Sequence, residues 1–229
     1  MKTTHHGDHL VRLSRLGVVN AYFVREDDGL TLVDTTMGGG SKAILAAADA
    51  LGAPIRRIAL THAHADHVGS VDALAATLPD VEVLISSRDE RLLSGDKSLD
   101  PSEPQDKVRG SFIKVGTLPT RTFAPGERVG SLEVVAAPGH TPGQVAFLDT
   151  RDRTLIGADT FTTLGGVNTT AVVPLRFPLA GMATWHKPTA LQTARELRAL
   201  NPSRLAVGHG PVVEQPAADM DAAIARAAK

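Results

Sequence analysis

The segment THAHADHVGS, residues 61–70, is the feature that most constrains how this chain can fold. It begins where the short apolar run RRIALT ends, and it places three histidines and an aspartate within six positions. Imidazoles and carboxylates crowded together are costly to bury unless they are paired or coordinate a metal ion. In an extended segment alternate side chains share a face, so His62 and His64 point to the same side. The fold must therefore bring this turn to a centre that a cation can occupy.

Three further residues of metal-binding type follow apolar, β-like runs elsewhere in the chain. His140 follows SLEVVAAPG, Asp159 follows TLIGA, and His209 follows RLAVG. Strand ends on a rigid scaffold are where side chains from distant positions can meet. The chain contains no cysteine, which excludes disulfides, a thiolate zinc site and a catalytic thiol. Any metal must therefore be held by histidine and carboxylate.

The rest of the chain alternates β-rich runs with helical segments. Strands are predicted at 18–25, 30–34, 56–61 and 81–86, within SLEVVAAPGH, in the hairpin GQVAFLDTRDRTLIGADT and within RLAVGHG. Helices are predicted at 41–52, 70–78, 184–200 and 216–228, with Ser41 as the first N-cap and Gly52 as the first stop. The polar, proline-containing residues 94–122 predict a long loop, and 88–114 and 161–183 are expected to line the pocket. This mixture argues against a purely parallel, doubly wound sheet.

Length and composition limit the class of protein. The 229 residues are 42% hydrophobic, enough for a sizeable core, and we expect a single domain over 1–229. A formal net charge of −1 does not indicate a positively charged surface for binding nucleic acid. No stretch approaches the roughly 18 apolar residues of a membrane span, and no secretory signal is evident. We therefore expect a cytoplasmic protein that acts on a small molecule, and the sequence leaves its oligomeric state open.

Taken in order, the motifs resemble those of the metallo-β-lactamase-fold superfamily over residues 18–211. The matching motifs are Asp34 in TLVDTT, His62-X-His64-X-Asp66-His67, His140 in APGHTPGQ, Asp159 in IGADT and His209 in VGHGP. The resemblance implies an α/β fold, an αββα sandwich with the metal site at one edge. It also implies this ligand set: His62, His64 and His140 for a first ion; Asp66, His67 and His209 for a second; and Asp159 bridging them.

The same resemblance implies a hydrolase with two divalent ions per chain, zinc by preference, with iron or manganese as alternatives. Two ions about 3.5–4 Å apart can share a hydroxide that forms at neutral pH. No serine nucleophile motif of the G-x-S-x-G type competes with this chemistry. We predict that the hydroxide attacks an ester, lactone or thioester carbonyl, with Asp66 and Asp159 as the catalytic carboxylates that hold it.

Within the superfamily, HxHxDH with a bridging aspartate is more similar to glyoxalase II thioesterases and acyl-homoserine lactonases than to zinc β-lactamases. Those β-lactamases typically carry a cysteine where Asp159 stands. The chain lacks the long C-terminal helical extension of glyoxalase II, and its only tyrosine is Tyr22, so a lactonase pocket tyrosine has no obvious counterpart. The substrate is left open, with a β-lactam-hydrolysing relative as one alternative.

A second alternative is an oxidoreductase. Persulfide dioxygenases of the same superfamily share the string THxHADH, and they use one iron held by equivalents of His62, His140 and Asp159. Sequence alone does not decide which metal is loaded. A nuclease is disfavoured because the near-neutral charge provides no basic exosite.

The remaining histidines and one upstream aspartate have simpler interpretations. Asp34 is expected to be an outer residue that orients a ligand. His186, beside Trp185, is predicted to lie at a helix start, with a substrate contact as the alternative. The terminal histidines at positions 5, 6 and 9 are expected to be exposed in a flexible terminus.

Overall fold

The computed structural model describes residues 1–229, with fifteen β-strands and seven α-helices. The strands are β1 (Lys2–His6), β2 (Leu10–Arg15), β3 (Val19–Glu26), β4 (Gly29–Val33), β5 (Ile55–Ala59), β6 (Glu82–Ser86), β7 (Arg121–Phe123), β8 (Arg128–Val129), β9 (Leu132–Ala136), β10 (Val145–Asp149), β11 (Thr154–Ile156), β12 (Phe161–Thr162), β13 (Asn168–Thr169), β14 (Arg204–Ala206) and β15 (Val213–Glu214). The helices are α1 (Ser41–Leu51), α2 (Ala65–Val68), α3 (Val71–Thr77), α4 (Ser87–Leu93), α5 (Pro178–Ala183), α6 (Lys187–Ala199) and α7 (Ala217–Ala227).

Two large sheets carry most of the strands. The first has seven strands in the order β1-β2-β3-β4-β5-β6-β7, antiparallel as far as β4 and parallel from β4 to β7. The second has six strands in the order β15-β14-β11-β10-β9-β8, in which only β11 and β14 run parallel. A separate ribbon pairs β12 with β13. Such mixed sheets, built from hairpins and crossovers, confirm the prediction against a purely parallel fold.

The buried side chains show how these sheets are layered. One apolar cluster joins the facing surfaces of the two sheets, with Tyr22 and Phe123 from the first meeting Phe147 from the second. A second cluster packs the outer face of the first sheet against α1, α3 and α4, and a third packs the second sheet against α6 and α7. Each sheet thus buries both faces, one against its partner sheet and one against helices. The predicted αββα sandwich is confirmed.

The start of α1 corrects a prediction. Its N-cap is Gly40, not Ser41, and no side chain caps the helix. The Gly40 N–H instead donates to Ser70 Oγ at 2.8 Å. A Cβ at position 40 would lie 2.6 Å from Thr36 Oγ1 and 3.0 Å from Ser70 Oγ of a neighbouring loop, so glycine leaves room for both side chains at the helix start. The predicted stop at Gly52 is confirmed, with φ of 67° in the left-handed region.

The N-terminus is also different from the prediction. Instead of a flexible tail, residues Lys2–His6 form β1, which pairs with β2 in register from Lys2↔Ser14 to His6↔Leu10. His5 is exposed, whereas His6 and His9 are half-buried. A polar edge strand is held by its backbone pairing and not by an apolar face, so its composition gives little signal.

The remaining boundaries agree in part with the sequence. The helix predicted at 70–78 is α3, the short helix α2 that precedes it was not predicted, and the helix predicted at 184–200 begins only at Lys187. The predicted loop begins after α4 and ends at β7. No helix combines the length and apolar character that a membrane span requires.

Candidate metal centre

The seven predicted ligands converge at one edge of the sandwich, although four separate segments supply them. The turn after β5 and the start of α2 carry the HxHxDH residues, and the segments after β9, β11 and β14 carry the others. Their side chains form three overlapping groups in which the candidate ligand atoms lie within 4.8 Å of one another: His62, His64 and His140; His62, His67 and Asp159; Asp66, His67 and His209. The structure therefore brings together every residue that the sequence singled out as a ligand.

The first group consists of three histidines that are almost completely buried. His64 Nδ1 lies 3.2 Å from His62 Nε2 and 3.0 Å from His140 Nε2. Two nitrogens bound at about 2.1 Å to one tetrahedral zinc ion would be about 3.4 Å apart. The spacing of the three nitrogens is therefore close to that of ligands around a single ion.

The second group, which consists of Asp66, His67 and His209, contains one carboxylate and faces that of Asp159. His209 Nε2 lies 3.3 Å from Asp66 Oδ2 and 3.1 Å from Asp159 Oδ2. The same Asp159 oxygen lies 3.3 Å from His140 Nε2 of the first group. Asp159 therefore lies between the two groups, where a bridging carboxylate would lie, and bridging itself stays a prediction.

Each histidine is oriented by a hydrogen bond from the ring nitrogen that faces away from the centre. His67 Nδ1–H donates to Asp34 Oδ2 at 2.8 Å. His62 Nδ1–H donates to Thr61 Oγ1 at 3.0 Å, and the Thr61 hydroxyl donates to Asp34 Oδ2 at 2.9 Å. Asp34 thus orients two candidate ligands, as expected for an outer residue.

The other three histidines use oxygens that no residue-type pattern reveals. His64 Nε2–H donates to the Arg109 carbonyl, and His209 Nδ1–H donates to the Val18 carbonyl, both at 3.0 Å. His140 Nδ1–H donates to Thr184 Oγ1 at 3.0 Å, and that hydroxyl donates onward to a backbone carbonyl. Sequence analysis missed all three acceptors, of which only Thr184 is a side chain.

Because their outer nitrogens donate, His62, His64 and His140 present the lone pairs of their inner nitrogens to one another. Lone pairs that face each other repel, and His67 Nε2 and Asp159 Oδ1 are buried without any hydrogen-bond partner. Unsatisfied buried polar atoms are costly in a folded protein. A divalent cation would satisfy them all, so the residues present fit the metal that the fold implies.

The electrostatics divide the cluster into a neutral and a charged part. Burial lowers the pKa of His62, His64 and His140, for His140 to about 3, so these three imidazoles are neutral. Burial opposes a charge on His209 as well, but the nearby Asp159 carboxylate outweighs it and raises the pKa of His209 to about 10.

The pKa of His67 is raised in the same way as that of His209. Although burial opposes its charge, Asp159 and Asp34 raise the pKa of His67 well above its ordinary value. The same pairing lowers the pKa of Asp66, mainly through His67, against the effect of burial. In the metal-free protein, the protons on His67 and His209 therefore balance the negative charges of these carboxylates. A bound divalent ion would take the place of those protons, because ligating imidazoles must be neutral.

A cavity of about 380 Å³ opens over the cluster. Besides candidate ligands, its lining residues are Val18, Val19, Met37, Ser111, Phe177, Leu179, Ala180 and Ala183. Ser111 belongs to the predicted pocket loop 88–114 and four of the apolar residues to 161–183, so both segments contribute. Apart from the cluster, no charged side chain lines this cavity.

His186 is not part of that lining. It is the N-cap of α6, where its side chain accepts a hydrogen bond from the Thr189 N–H, which confirms the predicted helix start. It lines another cavity of about 500 Å³, together with Trp185, Lys187 and Arg109. The terminal histidines at 5, 6 and 9 belong to none of the ligand groups.

With the fold and the site established, comparison with known proteins gives the family. The chain belongs to the metallo-beta-lactamase superfamily, whose family model matches residues 14–209. It is 45% identical to the uncharacterized protein YobT of Bacillus subtilis (strain 168), over 92% of this chain and 91% of that protein. It is 27% identical to the probable metallo-hydrolase YflN of the same strain, over 84% and 81% of the two chains.

Among solved structures, the chain is similar to TTHA1623 in a di-iron-bound form. The TM-score is 0.67 with 29% sequence identity, covering 92% of this chain and 96% of that one. Family membership and the histidine–aspartate cluster together support divalent-metal binding and a metal-dependent enzyme of the hydrolase type in general.

Proposed function

We propose that the protein is a two-metal hydrolase that cleaves an ester, lactone or thioester with an uncharged, largely apolar acyl part. The observation that carries this proposal is the convergence of both ligand groups beneath an apolar cavity of about 380 Å³. The relative named as a probable metallo-hydrolase and the di-iron neighbour support the reaction type and the number of ions.

The two ligand groups would hold one ion each, with Asp159 shared between them. When bound, such a pair of ions generates a nucleophile from water at neutral pH and polarises the substrate carbonyl. Zinc is the ion we propose; iron, as in the di-iron neighbour, or manganese would suit the same nitrogen and oxygen ligands.

The chain's own carboxylates would take different parts in the reaction. The Asp66 side chain is 36% exposed and lines the cavity, whereas that of Asp159 is 3% exposed. Asp66 Oδ2 faces His67 and His209, which leaves Oδ1 free to accept a hydrogen bond from the attacking water. Asp159 is therefore the better candidate for holding ions, and Asp66 for orienting water.

The apolar walls argue for the substrate class. A charged acyl group placed between Met37, Phe177 and Leu179 would lose its hydration without gaining a partner. An alkyl or aryl group would instead displace water from the same walls. Excluding water in this way also strengthens electrostatic interactions at the reacting carbonyl.

The test begins with metal analysis of the full chain, followed by a panel of substrates. We expect two divalent ions per chain, and turnover of apolar esters, lactones or thioesters with little turnover of their carboxylate-bearing analogues or of β-lactams. One iron per chain together with oxygen uptake on a persulfide would overturn the proposal in favour of the dioxygenase. Preference for charged acyl groups would overturn the substrate class alone.

A further inference from the structure

Outside the ligand cluster, one buried carboxylate is bonded to both of the turns that carry the first ligand group. We infer that Asp89 is a positioning residue, which holds the His62–His64 segment and His140 at the spacing that one metal ion requires. This inference rests on the proposed function in one respect, namely that the cluster binds metal.

Asp89 lies in the first turn of α4 and is fully buried. Its Oδ2 accepts hydrogen bonds from the Ala63 N–H at 3.0 Å and from Thr141 Oγ1 at 2.8 Å. Its Oδ1 accepts a third bond, from the Gly143 N–H at 2.7 Å. All three donors thus belong to the two ligand-bearing turns.

The donors lie directly beside the ligand histidines, so the Asp89 carboxylate can control where those histidines lie. Ala63 is the residue between His62 and His64, and Thr141 directly follows His140. The first turn leaves β5 of the seven-stranded sheet, and the second joins β9 to β10 of the six-stranded sheet. A single side chain therefore ties the two sheets together at the point where their ligands meet.

The local structure is shaped to admit this carboxylate. Ser86 Oγ accepts a bond from the Asp89 N–H at 3.1 Å and donates to the Gly143 carbonyl at 2.6 Å. The first turn of α4 therefore binds both the N–H and the carbonyl of Gly143. A Cβ at position 143 would lie 2.5 Å from the Asp89 nitrogen, so only glycine permits this approach.

Charge supports a positioning role over a merely structural one. Burial raises the pKa of Asp89 to about 6, and the three hydrogen bonds offset this only in part. The neighbouring Arg88 forms its ion pairs with Asp100 and Glu103 instead. Asp89 is thus an ionised buried group without a salt bridge, an arrangement that costs stability and is frequent at functional sites.

The hydrogen bonds of Asp89 support only the first ligand group. In the second group, His67 is oriented by Asp34 and His209 by the Val18 carbonyl. Asp89 contacts neither of these orienting groups. Its removal should therefore weaken the ion held by the first group and spare the other.

The experiment measures Co²⁺ binding to the metal-free full chain by chelator competition and by visible absorption. Asp89→Asn and Thr141→Val are compared with Thr141→Ser, which retains the hydroxyl. The matched control is Asp72→Asn, because Asp72 binds the Gly116 and Thr117 N–H groups and the Thr117 hydroxyl on an exposed loop away from the site.

We expect Asp89→Asn and Thr141→Val to weaken one of two ions by about 10- to 100-fold, the range typical when a residue orienting a ligand is lost. The other ion should stay within about threefold of its wild-type affinity, with Thr141→Ser and Asp72→Asn near wild type on the same scale. If Asp89→Asn does not fold, the inference is tested by comparing the ion affinities of Thr141→Val and Thr141→Ser.

Unchanged affinities in Asp89→Asn and Thr141→Val would overturn the inference and leave the proposed function intact. Equal weakening of both ions would also overturn it, because a general loosening of the fold affects both groups. If instead the wild type binds two ions, Asp89→Asn weakens one, and no ester, lactone or thioester is turned over, the proposed function alone fails.

Discussion

The two halves of the metal centre are built on different principles. The first group, His62, His64 and His140, consists of neutral imidazoles oriented by hydroxyl and carbonyl oxygens. In the second, His67 and His209 face carboxylates, which raise the pKa of both histidines. The arrangement of the first group therefore depends on hydrogen-bond geometry, and that of the second on the balance of charge between histidines and carboxylates. Each half should respond to a different kind of substitution.

The largest effect is expected where the two halves meet. Asp159→Ala removes the carboxylate that lies between His140 and His209, and should lower kcat/KM by about a thousandfold or more, equivalent to ~4 kcal/mol. His64→Ala should do the same by opening the first group. Activity assays with metal analysis check both, and circular dichroism should show that the fold persists. Retained turnover in either variant would rule out the two-metal assignment.

The next largest effect is on the stability of the metal-free protein, and it comes from Asp89, which supports the first group. The folded pKa of Asp89, about 6, lies above the ordinary 3.8, so the folded state takes up this proton first as pH falls. The cost of burying the charge is fully present above about pH 6 and disappears as pH falls to about 4. Relative to Asp89→Asn, wild type should therefore gain up to ~3 kcal/mol over that interval.

Denaturant unfolding of both chains between pH 4 and 7 measures this difference. Histidines titrate in the same range, but they do so in both proteins and cancel in the comparison. A difference that is flat with pH would mean that the pKa of Asp89 is the same in the folded and unfolded states, so that burial does not raise it.

A smaller effect is expected from the residue that supports the charged half. Asp34→Asn keeps a side chain that tolerates the left-handed backbone at this position, where φ is 61°. It removes the charge that faces His67 and should weaken the corresponding ion by about 10- to 100-fold. Asp34 also reaches His62 through Thr61 Oγ1, so Asp34→Asn should weaken the first-group ion as well, whereas Asp89→Asn should leave the second-group ion near its wild-type affinity. Co²⁺ titration of both variants checks this contrast, and weakening of the second-group ion by Asp89→Asn would show that the halves are not independent.

The smallest effect lies outside both halves. His186→Ala removes the side-chain cap of α6 and should cost about 1 kcal/mol of unfolding free energy. Because His186 lines the other cavity, kcat should be unchanged and any effect should appear in KM. His186→Asn, which can still cap the helix, is the control in steady-state kinetics and thermal unfolding. Complete inactivation of His186→Ala would reveal a catalytic role.

The parts of the structure that the sequence predicted share one property. The ligands are reactive residue types placed directly after apolar β-like runs, so both their chemistry and their position at strand ends are visible locally. The layered fold followed from their resemblance to a known motif order. Helix α1 shows the limit of this approach. Its stop at Gly52 depends on local backbone conformation and was predicted, whereas its start at Gly40 depends on a neighbouring loop and was not.

The sequence by itself determined which residues could bind metal, in what order they occur, and which family of folds could bring them together. Only the tertiary structure decided how those residues are held. Asp89, Thr184 and the Arg109 carbonyl act across separations of 26 to 54, 44 and 45 residues respectively. Three of the groups bound in this way, the Arg109 carbonyl and the N–H groups of Ala63 and Gly143, belong to the backbone, which every residue type supplies. Contacts of this kind arise from packing, and no local pattern records them.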